Sequence, residues 1–489
     1  MLLNMKKRIS NLLDTMTEYL DVLCGLTDKK NAILDCLAGI EAIQNQLEQE
    51  ESIPQVSLKQ LHSIKAAFHG FRNDLSTVNE QSVFLLKEQV LLLKALFQEE
   101  VKAKLKIVFL PYKISMWDSL ESIYEAASKD PDCEAHVVPI PYYQLSQKEA
   151  FPTYEGDRFP QHVPVVHYTQ YNLAEQQPDV IFVHNIYDEY NSITRVYEEY
   201  FTSNLKNYTD MLVYVPYHLS SFVRPDKENP CASYNIRTVP NVNKIILGGE
   251  YLKEAAVEYG VPEEKLLALG SPKLDAMVKG LKSEITYPPG WKEKLEGKTV
   301  YLINTGCTHF AIEPFSALES LLDFLHIPLI DENSAVIWRP HPLTMISIIK
   351  YTPDFLRYFL NLTERIKNGD EFFKNVILDE TDDYIPALKA ADVLISKDFS
   401  LLRSYLLTEK KVLFWDEAMP ENSLIPDNAF YFAYNRSEPW YELVKKFPKG
   451  YDPLAENRKG LADRVYANTD GTAGEKVYQA IKVCVLKAD

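Results

Sequence analysis

From Lys104 onward, short apolar runs rich in β-branched residues alternate with stretches of helical periodicity. The first series is KIVFLP at 106, AHVVPI at 135, DVIFVH at 179, MLVYVPYH at 211, KIILGG at 244 and LLALGS at 266. The second is TVYLINTG at 299, AVIWRPH at 335, NVILDE at 375, DVLISKD at 392, KVLFWD at 411 and AFYFAYN at 429. A strand that is apolar on both faces belongs in a parallel sheet covered by helices. Strand–helix alternation of this kind builds βαβ units. The polar stretch Lys279 to Lys298, with Pro288, Pro289 and Gly290, reads as a connection between two such sheets. A final helix is expected from about Thr472 to Leu486.

The first hundred residues have a different period. Ile9, Leu12, Met16, Tyr19 and Leu23 form one stripe at helical spacing, and Ile33, Leu37, Ile40, Ile43 and Leu47 form a second. Leu58, Leu61, Ile64, Phe68 and Phe71 form a third, and a fourth runs from Val83 to Phe97. Breaks fall at Gly25 to Asp28, at Ser52 to Pro54 and near Gly70 to Ser76, and Thr77 with Glu80 has the spacing of a capping box. The stripes imply three or four antiparallel helices that pack on one another or on a second copy of the chain. Docking to another partner or to a membrane is the alternative.

The domain reading is therefore a helical bundle or coiled coil over 1–103, a Rossmann-like domain over 104–285 and a second over 286–489. A chain of 489 residues needs more than one core. Its formal charge of -17 argues against nucleic-acid binding and makes any phosphate recognition local. The six cysteines (Cys24, Cys36, Cys133, Cys231, Cys307, Cys484) have no metal-ligand spacing, which fits reduced thiols in a cytoplasmic protein. No apolar run reaches spanning length, so the expected location is the cytoplasm, including the inner face of the plasma membrane as a peripheral protein.

Ligands of open α/β sheets bind beyond the carboxyl ends of the strands, so the residues ending each run are the candidates. GSPKLD places Ser271 as a helix cap, Pro272 in the first turn and Lys273 beside them, a pattern suited to an anion. A capped turn is the equal alternative. RPHP supplies Arg339, whose fork suits phosphate, and His341, which can exchange a proton near neutrality. His218 ends the MLVYVPYH run and is a candidate base. Thr305, Gly306 and Thr308 of NTGCTHF form a candidate backbone nest. Ser396 and Ser400 of SKDFS are hydroxyl donors, with Lys397 adding charge, and Asp470 with Gly471 of TDGTAGE makes a turn before the final helix. P-loop, dinucleotide and zinc-protease motifs are absent from the sequence, and no carboxylate cluster calls for a metal.

Taken in order, His218, GSPKLD, RPHP, DVLISKDFSLLRSYLL at 392 and DGTAGE at 470 resemble the CDP-glycerol glycerophosphotransferase family, the teichoic-acid primases and polymerases. The resemblance covers roughly residues 105 to 485. It implies an α/β fold of two Rossmann-like domains in a GT-B arrangement, with the last helix crossing back, preceded here by the helical domain. It implies transfer of glycerol phosphate from a CDP-linked donor to a polymer or lipid-linked hydroxyl, with CMP released and no cofactor or metal. His218 would be the base, and His341 with Arg339 would hold the donor pyrophosphate. Ser271 and Lys273 match the Ser and Arg of the family's GSPR, and Ser400 matches the second Ser of its DYSS element. Asp470 and Gly471 match its DGTAGE. Lys397 stands where that element has Asp, and Arg403-Ser404 where it closes with Phe-Asp. The implied chemistry requires the His218 and His341 rings, one from each domain, to meet over one pocket. A UDP-dependent glycosyltransferase or epimerase, and an assembly protein with a degenerate site, are the alternatives.

Overall fold

Two six-stranded parallel sheets organise the chain beyond its N-terminal helices. A computed structural model describes residues 1–48, 55–145, 149–397, 399–435 and 438–487. The expected break at Ser52 to Pro54 lies outside the described residues.

Helices α1 (Leu3–Val22), α2 (Lys29–Leu47), α3 (Gln55–Asn73) and α4 (Glu80–Glu100) pack in a ring, with α1 against α4. Their apolar stripes meet inside one shared core. Of the expected α1 stripe, Ile9, Met16 and Leu23 are buried, but Leu13 and Leu20 take the places of Leu12 and Tyr19: Leu12 is 36% exposed while Leu13 is 1%. Adjacent leucines satisfy the 3–4 spacing in either register, and packing against α4 selects one. The capping box also moves by two residues. Asn79 and Ser82 exchange the reciprocal bonds, at 3.0 Å and 3.1 Å, because Thr77 is held in a preceding 3₁₀ turn. The bundle joins the body through Leu3, whose N–H donates to the Lys104 carbonyl at 2.9 Å.

The next strands are β1 (Leu105–Phe109), β2 (Cys133–Val137), β3 (Tyr142–Leu145), β4 (Ala150–Thr153), β5 (Val180–Val183), β6 (Thr194–Val196), β7 (Met211–Tyr214), β8 (Lys244–Ile246) and β9 (Leu266–Leu267). Six of them form the first sheet in the order β2-β1-β5-β7-β8-β9. The order reverses at β1 and β5, which makes their carboxyl ends a ligand crevice. The remaining three pair antiparallel in a small sheet, β4-β3-β6, that the sequence patterning did not disclose.

The second sheet uses β10 (Thr299–Thr305), β11 (Ser334–Pro340), β12 (Val376–Leu378), β13 (Val393–Ser396), β14 (Lys411–Phe414) and β15 (Tyr431–Phe432). Its order, β12-β11-β10-β13-β14-β15, is the 3-2-1-4-5-6 order of nucleotide-binding Rossmann sheets, with the switch at β10 and β13. The connection expected from Lys279 begins later, since the helix Pro272–Lys282 continues through it.

The chain ends on the first lobe rather than the second. The last helix, Ala473–Lys487, buries Val477, Tyr478 and Ile481 in the core beneath β1 and β5, and Tyr478 and Lys482 both bond Asp130.

Candidate functional site

β7 ends at Tyr214 because Pro216 has no N–H to continue the ladder, and the chain then turns outward with Tyr217 and His218. This loop is stitched to the second lobe. Arg403 donates to the Leu219 carbonyl at 2.6 Å, Leu424 N–H to Phe222 at 2.8 Å and Arg224 N–H to Asn422 at 3.0 Å. Tyr466 donates to the Ser220 carbonyl at 2.7 Å. His218 therefore sits where the lobes touch, in a tight cleft of about 10 Å³ shared with Ser233, Gly270, Ser271 and Tyr466. Its Nε2 lies 3.4 Å from the Ser233 hydroxyl. Burial, then the charges of Arg403 and Lys273, pull the imidazole down to about 4. It is neutral at pH 7.

A second histidine, passed over in the sequence, ends the DVIFVH run in the crevice between β1 and β5. His184 is fully buried; its Nε2 accepts the Tyr112 N–H at 3.2 Å, and its Nδ1 lies 3.2 Å from the Met116 carbonyl. These partners fix the neutral tautomer with the proton on Nδ1, and burial pulls the group down to about 3. The Tyr217 ring bridges His184 and His218, with centroids 6.3 Å and 5.5 Å away. The position that could have drawn attention to His184 is the one that drew attention to His218, the polar end of an apolar run.

The other candidates fall into separate groups. Ser271 is buried beside His218, but its side chain makes no cap bond, so Pro272 alone marks the helix start. Lys273 is taken up by Asp118 at 2.5 Å and by the face of Tyr384 at 5.7 Å. It joins the lobes there instead of standing open as a phosphate ligand. Burial lowers its pKa, yet Asp118 and then Tyr384 together more than offset that, and the net shift is upward.

Arg339 is also corrected. Its guanidinium is buried and committed to Asp379 at 2.5 Å, the Thr381 carbonyl at 2.8 Å and the Thr381 hydroxyl at 3.2 Å. A fork so engaged cannot also grip a pyrophosphate; it holds the loop from Asp379 to Asp383 that follows β12. His341 accepts the Leu343 N–H at 3.1 Å on Nδ1, and burial, then Arg339, lowers its pKa. Neither His341 nor Arg403 is among the residues lining the His218 cleft, and the second-lobe side chain bonded to the His218 loop is Arg403, through the Leu219 carbonyl.

At the second sheet's switch point, Thr305 is buried and its hydroxyl accepts from Trp338 at 3.3 Å. Gly306 lies directly under the Phe399 ring, and Thr308 is exposed. Ser396 is buried 3.4 Å from Asn304 Oδ1, whereas Ser400 is the exposed first residue of a short helix, Ser400–Tyr405. Asp398 lies outside the described residues. Lys397 faces Asp416 at 3.7 Å.

Asp470 and Gly471 are not part of this cleft. Asp470 accepts the Thr472 N–H at 3.2 Å, and Gly471, at φ +95°, makes the turn into the last helix. That helix start is taken by Asp275, which accepts the N–H groups of Ala473 and Gly474. Among the described residues no cluster of three or more His, Cys, Asp or Glu could hold a metal.

No known family's sequence model matches the chain, and no curated protein matches it in sequence. Solved structures do. A Listeria monocytogenes protein named as a UDP-N-acetylglucosamine 2-epimerase superposes with a TM-score of 0.52 at 15% identity, over 79% of this chain and 98% of that one. Another UDP-N-acetylglucosamine 2-epimerase gives 0.50 at 12%, over 78% and 96%. The wall teichoic acid polymerase TagF gives 0.48 at 15%, over 89% and 100%. The first two establish the fold: two Rossmann-like lobes in a GT-B arrangement, with the N-terminal helices added.

Proposed function

We propose that the protein is a transferase that moves glycerol phosphate, or a related polyol phosphate, from a CDP-linked donor to a hydroxyl of a polymer or lipid-linked acceptor. The product would be a teichoic-acid-like surface polymer. The observation that carries this reading is a neutral histidine, His218, beside a cation, Arg403, that arrives from the opposite lobe. The donor would enter at the second sheet's switch point, near Gly306 and Ser396, and the acceptor at the first.

In the proposed step the acceptor oxygen attacks the phosphorus bearing the glycerol. The bond from that phosphorus to the bridging oxygen breaks, and CMP leaves with the electron pair. His218 takes the acceptor's proton, and Arg403 offsets charge developing on the phosphoryl oxygens. The joined lobes keep water from competing with the acceptor. No helix among the described residues is long and apolar enough to cross a membrane.

The second reading, a UDP-sugar epimerase or glycosyltransferase, is favoured by the second sheet's strand order and by the names of the epimerases that share the fold. The deciding experiment incubates the purified chain with CDP-glycerol and a glycerol-phosphate acceptor, and in parallel with UDP-N-acetylglucosamine. CMP release, lost about 10²- to 10⁴-fold in His218→Ala, supports the transferase. Interconversion of the UDP-sugar with no CMP supports the second reading. Failure of every CDP-, UDP- and GDP-ligand to raise the melting temperature would leave an assembly protein.

A further inference from the structure

The His218 cleft is too small for a substrate. Its space of about 10 Å³ is that of a single water at most. The ring turns its Nε2 to the Ser233 hydroxyl inside it. An acceptor hydroxyl, with the chain that carries it, has no room to approach that nitrogen. Part of the wall is rigid: Val215 and Ile246 close β7 and β8, and Pro272 starts a helix. The rest is the Tyr466 ring with Ser220 and Ser233, which belong to the connection 216–238 between β7 and β8. That connection contains no helix and no strand, only one bridge residue, Val223.

The bridge reaches across the lobes. Val223 pairs antiparallel with Ser423. The Leu424 N–H donates to the Phe222 carbonyl at 2.8 Å and the Arg224 N–H to the Asn422 carbonyl at 3.0 Å. The bonds therefore flank the pair, and Val223 with Ser423 is a non-hydrogen-bonded pair, whose Cα atoms lie about 4.5 Å apart. Arg403 and Tyr466 hold the same stretch from the other side, at the Leu219 and Ser220 carbonyls. Leu219 and Phe222 are fully buried. Beyond Arg224 the chain runs out to solvent, where Asp226 closes an exposed turn by accepting the N–H groups of Glu228 and Asn229. It returns through a tight turn, in which Tyr234 and Asn235 donate to the Cys231 carbonyl, and this turn sets Ser233 against His218.

These two bonds are the whole of the backbone pairing between the connection and the second lobe among the described residues. Neither six-stranded sheet runs through them. The bridge can therefore part by local opening, with both ladders intact. The buried Leu219 and Phe222 oppose that opening and keep the covered state dominant.

We propose that residues 219–224 are an autoinhibitory strap. Bridged to Ser423, the strap holds the His218 cleft shut, and it lifts from residues 422–424 before an acceptor meets the imidazole. Lifting it also frees the Arg403 N–H now spent on the Leu219 carbonyl. Uncovering the histidine and releasing the cation are thus one event. The inference rests on the reading of His218 as the residue that meets the acceptor, and it adds the element that controls access to it.

The test is a removable lock on the full chain. Val223→Cys with Ser423→Cys puts two cysteines at a Cα separation that a disulfide spans. The same preparation is studied oxidised and again after dithiothreitol, so the reduced form controls for folding. Diethyl pyrocarbonate, which transfers an ethoxycarbonyl group to a neutral imidazole nitrogen, reports access to His218 by peptide mass. His162, with its side chain 66% exposed, is the internal reference and should label equally in both forms. Labelling of His218 should fall about tenfold or more on oxidation and return on reduction, and CMP release should follow it. Tyr466→Phe deletes the bond to the Ser220 carbonyl and should raise His218 labelling about twofold to tenfold. Equal His218 labelling in the oxidised and reduced forms, or none in the reduced form once His162 is fully acylated, would overturn the strap. CMP release undiminished by the disulfide sinks the strap and leaves the reaction, whereas gated labelling without CMP release sinks the reaction and leaves the strap.

Discussion

The Asp275 carboxylate accepts the backbone N–H of Gly474 at 2.7 Å and that of Ala473 at 3.1 Å, across almost two hundred residues of sequence. GSPKLD and DGTAGE are thus two halves of one joint. Gly474 is part of it, because a Cβ there would meet the backbone of Ser122 and Ile123. The joint holds the chain's last helix on the first lobe, and it offsets the free N–H groups of that helix start.

Asp275→Ala removes the acceptor and leaves two buried N–H groups unpaired. Leaving a buried donor without a partner costs about 1–3 kcal/mol. The urea midpoint should fall accordingly, and amide exchange at Ala473 to Ile481 should accelerate more than in the second lobe. Uniform acceleration across both lobes would show that the joint is not what ties the helix down.

The buried histidines make stability depend on pH. Burial lowers His184 to about 3 and His218 to about 4, below the ordinary 6.5. The unfolded chain takes up these protons near 6.5 and the folded chain refuses them until lower pH. Between those values the unfolded state binds more protons, so stability falls as pH falls. A single such group contributes about 1.4 kcal/mol per pH unit. Asp179 and Asp188, pushed up to about 6 by burial, act in the opposite sense. The readout is therefore the difference between wild type and His184→Gln. The variant should lose less stability between pH 7 and pH 5, and equal losses would remove His184 from the account.

The architecture was legible because each buried parallel strand leaves a continuous apolar run, and twelve such runs in two series specify two sheets. The site was legible only in part. His218 stands where the sequence placed it, at the lobe interface, because a polar residue after an apolar run must emerge at a sheet edge. Arg339 and Lys273 were misread because an anionic partner can equally be an internal carboxylate, and Asp379 and Asp118 lie 40 and 155 residues away in sequence. Arg403 was noted only as a departure from a motif, since nothing local shows that it reaches Leu219 across the lobes. The small sheet was missed for a simpler reason. Its strands, YYQL, AFPT and TRV, are only three or four residues long and mix apolar with polar residues, too short to establish alternation.

Arg403→Met deletes the cation beside His218 and its bond to the Leu219 carbonyl. Burial, the larger cause of the low His218 pKa, remains, but the next contribution is gone, so the imidazole should titrate at higher pH in a histidine NMR experiment. Turnover should drop by about 10²- to 10³-fold if the guanidinium faces developing phosphoryl charge. Arg403→Lys should restore much of the His218 titration behaviour but less of the turnover, because an ammonium lacks the fork. A His218 titration identical in all three proteins would show that Arg403 acts on the lobe contact alone.

Gly306 tests where the nucleotide goes. It follows β10 at the second sheet's switch point, and a Cβ built on it would lie 2.7 Å from the Phe399 ring. The ring is a side chain and can move, so Gly306→Val should fold, with a melting temperature within a few degrees of wild type. The displaced ring and the added methyls would then fill the space a phosphate needs to approach the backbone at the end of β10. A nucleotide diphosphate at a hundred times its dissociation constant stabilises a protein by about 2.7 kcal/mol. The melting-temperature rise given by CDP- or UDP-ligands should therefore shrink sharply in Gly306→Val and persist in Thr308→Val, whose side chain is exposed nearby. Equal rises in both variants would move the donor away from the switch point, and with it the roles assigned to the second lobe.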